Sequence, residues 1–161
     1  MIIRPAGPAD WPAIWPIWHH VVAAGDTYAY DPATPSEVAR AAWLAPAPHE
    51  AWVALDDDVA LGTYHLSPNH DGPGAHVANA SYMVAAAARG RGVGRRLVEH
   101  SLVRAVEAGY LAMQFNAVTA TNTGAIALYE SLGFQTIGVV PRAFRHPVAG
   151  LVGLHIMHRD L

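Results

Sequence analysis

Between residues 84 and 97 the chain reads Val-Ala-Ala-Ala-Ala-Arg-Gly-Arg-Gly-Val-Gly-Arg-Arg-Leu, and no other segment restricts the fold as much. The residues before it, His76 to Val84, mix small, aromatic and β-branched side chains as a strand does. The residues after it, Val93 to Ala108, carry apolar Val93, Leu97, Val98, Leu102, Ala105 and Val106 at helical spacing. A strand therefore passes through a glycine-dense turn straight into an amphipathic helix. Glycine lets such a turn adopt left-handed backbone and come close to a ligand. The N–H groups of the turn and of the helix N-terminus then converge on one point and attract phosphate. Arg89, Arg91, Arg95 and Arg96 add positive charge around that point.

Two familiar phosphate motifs do not fit the segment. The dinucleotide fingerprint needs a glycine where Arg95 stands and an acid near Tyr110, and the Walker pattern needs Gly-Lys-Ser/Thr, which is absent. The remaining elements follow from periodicity and punctuation. Ile2 to Arg4 reads as a strand, and a helix follows with Trp11, Trp15 and Trp18 on one face, ending at Gly25-Asp26-Thr27. A second helix opens at Pro35-Ser36-Glu37 and runs to about Leu44. Ala51 to Leu55 and Leu61 to Leu66 are strands joined by an acidic turn, Asp56-Asp57-Asp58. Beyond Gly109, Met113 to Thr119 is a strand and Thr123 to Leu132 a helix stopped by Gly133. Phe134 to Val140 and Leu151 to His158 are the last strands, separated by a long excursion containing Pro and Gly. The order β-α-α-β-β-β-α-β-α-β-β predicts a mixed α/β sheet in a single domain over residues 1–161.

Composition narrows the function classes. With 52% hydrophobic and 14% charged residues over 161 positions, the chain can bury a core and is not a disordered polyelectrolyte. A net charge of −3 offers no global field for nucleic acid or an anionic membrane. No segment approaches the roughly 18 apolar residues of a spanning helix, and the N-terminus lacks the apolar core of a signal peptide, so a soluble protein is expected. Zero cysteines remove disulfides, thiolate metal sites and a cysteine nucleophile, and agree with a cytoplasmic location. The ten histidines include no His-x-x-x-His beside a carboxylate, so no metal is expected. His76 and His146 stay as candidate proton acceptors.

Arg89-x-x-Gly92-x-Gly94 resembles the pyrophosphate-binding signature of the GCN5-related N-acetyltransferase (GNAT) superfamily. A second signature of that superfamily is similar to the run from Asn122 to Phe134, Asn-Thr-Gly-Ala-Ile-Ala-Leu-Tyr-Glu-Ser-Leu-Gly-Phe. The two stand in the family's order, and the element order covers essentially the whole chain in the same way. The resemblance implies a mixed sheet splayed between its fourth and fifth strands, flanked by helices, with acetyl-CoA as cosubstrate. Its pantetheine arm would pair with backbone of Met83 and Val84. Its pyrophosphate would sit on the turn formed by Arg89, Gly90, Arg91, Gly92, Val93, Gly94 and Arg95. Asn122 resembles a residue that contacts the pantetheine arm, and it also reads as a helix cap. Tyr129 resembles the general acid that protonates the departing thiolate.

Many small-molecule members carry a glutamate base where this chain has Asn79, and asparagine accepts no proton at neutral pH. His76-Val77-Ala78-Asn79-Ala80, Gln114-Phe115-Asn116 and Thr121-Asn122 are more similar to the fungal enzymes that acetylate azetidine-2-carboxylate, a toxic proline analogue. On that resemblance Asn79 and Asn116 hold the amine, while Asp26, Tyr28 and Tyr30 form the substrate wall. The segment Gly138 to Pro147 is similar in that group and in phosphinothricin-type acetyltransferases, which suggests a homodimer. The implied function is N-acetylation, and detoxification, of a small amine. A protein or peptide acetyltransferase and a catalytically silent acyl-CoA-binding module are the alternatives.

Overall fold

The computed structural model describes residues 1–161 as seven strands and four α-helices. In chain order they are β1 (Ile2–Pro5), α1 (Trp11–Ala23), α2 (Ser36–Trp43), β2 (Glu50–Asp56), β3 (Val59–Pro68) and β4 (Val77–Val84). Then come α3 (Val93–Glu107), β5 (Ala112–Thr119), α4 (Thr123–Ser131), β6 (Gln135–His146) and β7 (Gly150–Asp160). The strands form one sheet in the order β1-β2-β3-β4-β5-β7-β6, antiparallel except between β4 and β5. The expected mixed α/β architecture is therefore present.

Local chemistry accounts for the turns. Asp57 and Asp58 both take positive φ, 44° and 65°, as a two-residue hairpin between β2 and β3 requires, and aspartate tolerates that region better than most residues. The excursion expected after Val140 is instead strand. β6 runs to His146, and its register with β7 shifts between Val140 and Phe144. Pro141 lacks an N–H and Arg142 has φ 53°, so the ladder absorbs both in a bulge on the sheet's edge.

Side chains alternate between the two faces of the sheet and build two cores. On one face Tyr64, Leu66, Ala78, Ala80, Met113 and Phe115 pack under Leu97, Val98 and Ala105 of α3, with α4 alongside. On the other, Val53 and Met83 pack under α1 and α2. The tryptophan face of α1 is mostly core: Trp11 and Trp18 are buried, and Trp15 stacks on Trp18 at 5.5 Å. Trp11 Nε1 donates to Ser36 Oγ at 2.9 Å, which fixes the start of α2 against α1. Trp43 Nε1 donates to Thr63 Oγ1, which donates onward to the Trp52 carbonyl, so the indole's buried N–H is satisfied.

Gly62 on β3 lets α3 sit close to the sheet. A Cβ there would lie 2.8 Å from the Met83 carbonyl oxygen and 3.0 Å from Leu97 Cδ1. Gly62→Ala should therefore cost about 1–3 kcal/mol of stability, measured by urea denaturation, because backbone rather than a flexible side chain must yield.

Candidate active site

β4 and β5 are the parallel neighbours, and only two residue pairs join them, Val77 with Ala112 and Ala78 with Met113. Beyond those pairs the strands diverge and leave a cavity of 580 Å³ through the middle of the sheet. A bulge in β5 assists the divergence, since its register with β7 shifts between Phe115 and Val118. Asn116 lies within that bulge.

The gap exposes backbone of β4. In an antiparallel ladder, facing residues alternate between hydrogen-bonded and non-bonded pairs. The Tyr82 N–H and C=O bond to Tyr28 and not to β3, which makes Tyr64–Tyr82 a non-bonded pair. Ala80, Tyr82 and Val84 therefore turn their N–H and C=O toward the gap, whereas Met83 turns its own toward Thr63 of β3. Of Met83 and Val84, only Val84 offers ladder groups to a ligand. The Met83 side chain is core and borders the cavity.

The glycine turn lies at the C-terminal end of β4. Gly90 and Gly92 have φ of 75° and 77°, and Gly92 caps α3. The first intrahelical bond runs from Arg96 N–H to the Gly92 carbonyl, so the N–H groups of Val93, Gly94 and Arg95 are unpaired by the helix. No atom lies within 4 Å of a Cβ built on Gly90 or Gly92, and Gly94 borders the cavity beside Val84 and Leu128. This is open, donor-rich backbone of the kind that cradles phosphate, so the residues present fit a pyrophosphate. The arginines divide. Arg89 lines the cavity as its one cationic side chain. Arg91 pairs with Asp56 at 3.1 Å, and Arg95 donates to Ser131 Oγ at 2.7 Å and pairs with Glu99. The Val93 side chain is buried in the core.

On the α3–α4 face, Tyr129 lies 4.5 Å from Phe115 and 6.2 Å from Tyr82, ring centre to ring centre. Its hydroxyl has no hydrogen-bond partner in the chain, and burial, with Tyr82 nearby, pushes the phenol well above its ordinary pKa. Asn122 caps α4, its Oδ1 accepting from Ala125 N–H at 3.3 Å, and also borders the cavity. On the α1–α2 face lie Asn79, Asn116, Asp26, Tyr28 and Tyr30, all bordering the same cavity. Asn116 Nδ2 donates to Asn69 Oδ1 at 2.6 Å and its Oδ1 accepts from Gln114 at 2.8 Å. Asp26 is the one carboxylate in the wall. Its backbone oxygen accepts from Thr119 Oγ1 at 3.3 Å, which ties the loop to the end of β5.

His76 and His146 stand outside the cavity. His76 Nδ1 meets the Pro73 carbonyl, and His146 Nδ1 accepts from Val148 and Ala149 N–H at the β6–β7 turn. Sequence reasoning missed Tyr82, Ser81 and Phe115 as lining residues. Their place beside Asn79 and Asn116 on the two strands was the signal available. No cluster of three or more metal-ligating side chains occurs, and no helix is long and apolar enough to cross a membrane.

Residues 15–134 match the model of the Acetyltransferase (GNAT) family, and the chain belongs to that family. A solved GCN5-related N-acetyltransferase from Kribbella flavida is 54% identical, with a TM-score of 0.96 over 99% of this chain and 97% of that one. The ribosomal-protein-alanine N-acetyltransferase from Brucella melitensis is 26% identical, with a TM-score of 0.89 over the full length of both. N-acetyltransferase aca1 of Schizosaccharomyces pombe is 35% identical over 101 residues, which are 62% of this chain and 48% of that protein. The chain thus aligns with about half the length of this curated relative.

Burial raises the phenols of Tyr28, Tyr64, Tyr82 and Tyr129 above the ordinary value of about 10. The folded chain thus retains protons that the unfolded chain releases. Their contribution to stability is complete below about pH 10 and is lost as the pH rises further. Denaturation midpoints measured from about pH 8 to about pH 11 should stay level from this source and then fall, with the phenolate absorbance of these four tyrosines rising as the chain unfolds.

Proposed function

We propose that this protein transfers the acetyl group of acetyl-CoA to the nitrogen of a small amine, either a proline analogue of the azetidine-2-carboxylate kind or another amino-acid-like compound. One observation carries the reading: a single cavity through the splayed sheet is bordered by the phosphate cradle and Tyr129 on one face and by two asparagines and a carboxylate on the other. The turn from Arg89 to Arg95 would hold the pyrophosphate, with Val84 and Asn122 along the pantetheine arm. The thioester supplies an activated acyl carbon, and the residues around it do the rest. Val84 N–H donates to the carbonyl oxygen as that oxygen gains charge. Tyr129, a phenol and so protonated at neutral pH, donates its proton to the leaving sulfur. Asp26 attracts the ammonium form, which gives one proton to water. Asn79 or Asn116 then accepts from a remaining N–H and orients the lone pair, and that proton passes to water as the C–N bond forms and the C–S bond breaks. Direct transfer needs no covalent acyl-enzyme and agrees with a chain without cysteine.

Acetyl-CoA supply assigns the reaction to the cytoplasm, where capping a toxic amine is detoxification. Neither metal, membrane nor nucleic acid enters this reading. The exposed Ile137, Val139 and Val140 on the edge strand β6 support a homodimer through that edge, which light scattering of the purified chain would check. A second reading, acetylation of a protein α-amine, is favoured by the likeness to the Brucella melitensis enzyme.

Free-thiol release from acetyl-CoA decides between them, using azetidine-2-carboxylate, proline, phosphinothricin, methionine sulfoximine, a polyamine, a lysine peptide and a peptide with N-terminal alanine. Turnover confined to the cyclic secondary amines supports the asparagine pocket, and turnover confined to the alanine peptide replaces it with the second reading. Tyr129→Phe should lower kcat by about 100-fold and leave the KM for acetyl-CoA nearly unchanged. Asn79→Ala should instead raise the KM for the acceptor by about tenfold, the loss of one or two hydrogen bonds. Wild-type kcat in Tyr129→Phe would remove that residue from proton transfer.

A further inference from the structure

Where β4 leaves β5, its backbone loses a ladder partner, yet one of the exposed pairs of groups is already taken. Tyr28 reaches in from the loop between α1 and α2. Its hydroxyl donates to the Tyr82 carbonyl at 2.7 Å and accepts from the Tyr82 N–H at 3.0 Å. One phenol oxygen thus replaces the two bonds that a neighbouring strand would have made. The ring itself is braced. It stacks on Tyr30 at 5.7 Å, and Tyr30 lies 5.4 Å from Trp18, a buried residue of α1. The same loop is fastened to β5 through Thr119 and the Asp26 carbonyl.

A ligand arm lying in the gap as an extra strand pairs with alternate residues of β4, about 6.6 Å apart. Val84 is available to it. The next position toward the base of the gap is Tyr82, and there the polar groups are saturated and the Tyr28 side chain stands in front of them. Asn79, deeper on β4, lies beyond that barrier. We infer that Tyr28 closes the acyl slot and limits the donor to a short acyl group, so that its role is choice of donor and not, as the sequence suggested, choice of acceptor. The inference rests on the acyl-CoA reading above. Its physical basis is steric and polar at once: a longer chain would have to displace a braced ring and strip the Tyr82 N–H and C=O of their protein partner.

The test is calorimetric binding of acetyl-, propionyl-, butyryl- and hexanoyl-CoA to the full chain and to Tyr28→Ala and Tyr28→Phe, each checked by thermal melting. Binding needs no acceptor, so the outcome does not depend on knowing the amine. The wild-type chain should bind acetyl-CoA at least about tenfold more tightly than butyryl-CoA, and Tyr28→Ala should abolish or invert that ratio. Tyr28→Phe keeps the ring volume but loses both anchors, and should reduce the ratio about threefold. If acetyl-CoA binds all three proteins and the ratio is the same in each, the inference falls while the acetyltransferase reading stands. If the Ala variant does not fold, an unchanged ratio in Tyr28→Phe overturns it equally. If the wild-type chain binds none of the thioesters, both the inference and the reading beneath it fall.

Discussion

A parallel pair of strands held together over only two residue pairs creates a debt in hydrogen bonds that the surrounding structure meets piece by piece. Buried peptide groups without partners are costly, and an open gap in a sheet would expose several of them. Below the gap, β4 and β5 are joined normally. At its middle, Tyr28 supplies the missing partner for Tyr82. At its mouth, the N–H groups of Val93, Gly94 and Arg95 are left unpaired by the helix, while those of Arg89 and Arg91 bond back to Ala86 and Ala88. The bulge in β5 and the entry of α3 after the turn both follow from keeping the strands apart while the two cores stay packed.

The cavity is polar in different ways on its two faces. Toward α3 and α4 it is bounded by rings, with Tyr82, Phe115 and Tyr129 in mutual contact and the phenol pKa values raised by burial. Toward α1 and α2 it is bounded by amides and a carboxylate that solvent still reaches. Burial raises the phenol pKa values on the first face, so those hydroxyls stay neutral across the physiological range. The amides and the carboxylate of the other face stand where exchange with water is easy. The alternation of side chains along two strands is enough to separate these environments across a single sheet.

Much of this was legible in the sequence because it is local. The strand, glycine turn and helix from His76 to Ala108 announce themselves through periodicity and punctuation, and the Asp57-Asp58 hairpin follows from turn chemistry. What stayed hidden was orientation. Whether Met83 or Val84 faces the gap depends on ladder phase, which no spacing rule reveals until a hydrogen bond fixes it. The side chains of Arg91 and Arg95 turn to Asp56 and Ser131, partners that are near only in space. The bond between Tyr28 and Tyr82 joins positions 54 residues apart. At β6 the proline and glycine signals predict a loop, because a bulge that absorbs Pro141 and Arg142 is visible only against the opposing β7. The candidate site residues came mainly from resemblance to a family, and the structure brings most of them to one cavity without assigning their roles.

The aromatic chain that begins with Tyr28 and passes through Tyr30 to Trp18 has an optical consequence. Rings at these separations exchange excitation efficiently, and a tryptophan embedded in the α1 core is a sink for light absorbed by the two loop tyrosines. Trp15, stacked on Trp18, couples the rest of the helix face to the same pathway. The chain therefore carries, among its five tryptophans, one whose excitation is coupled to the loop that borders the cavity.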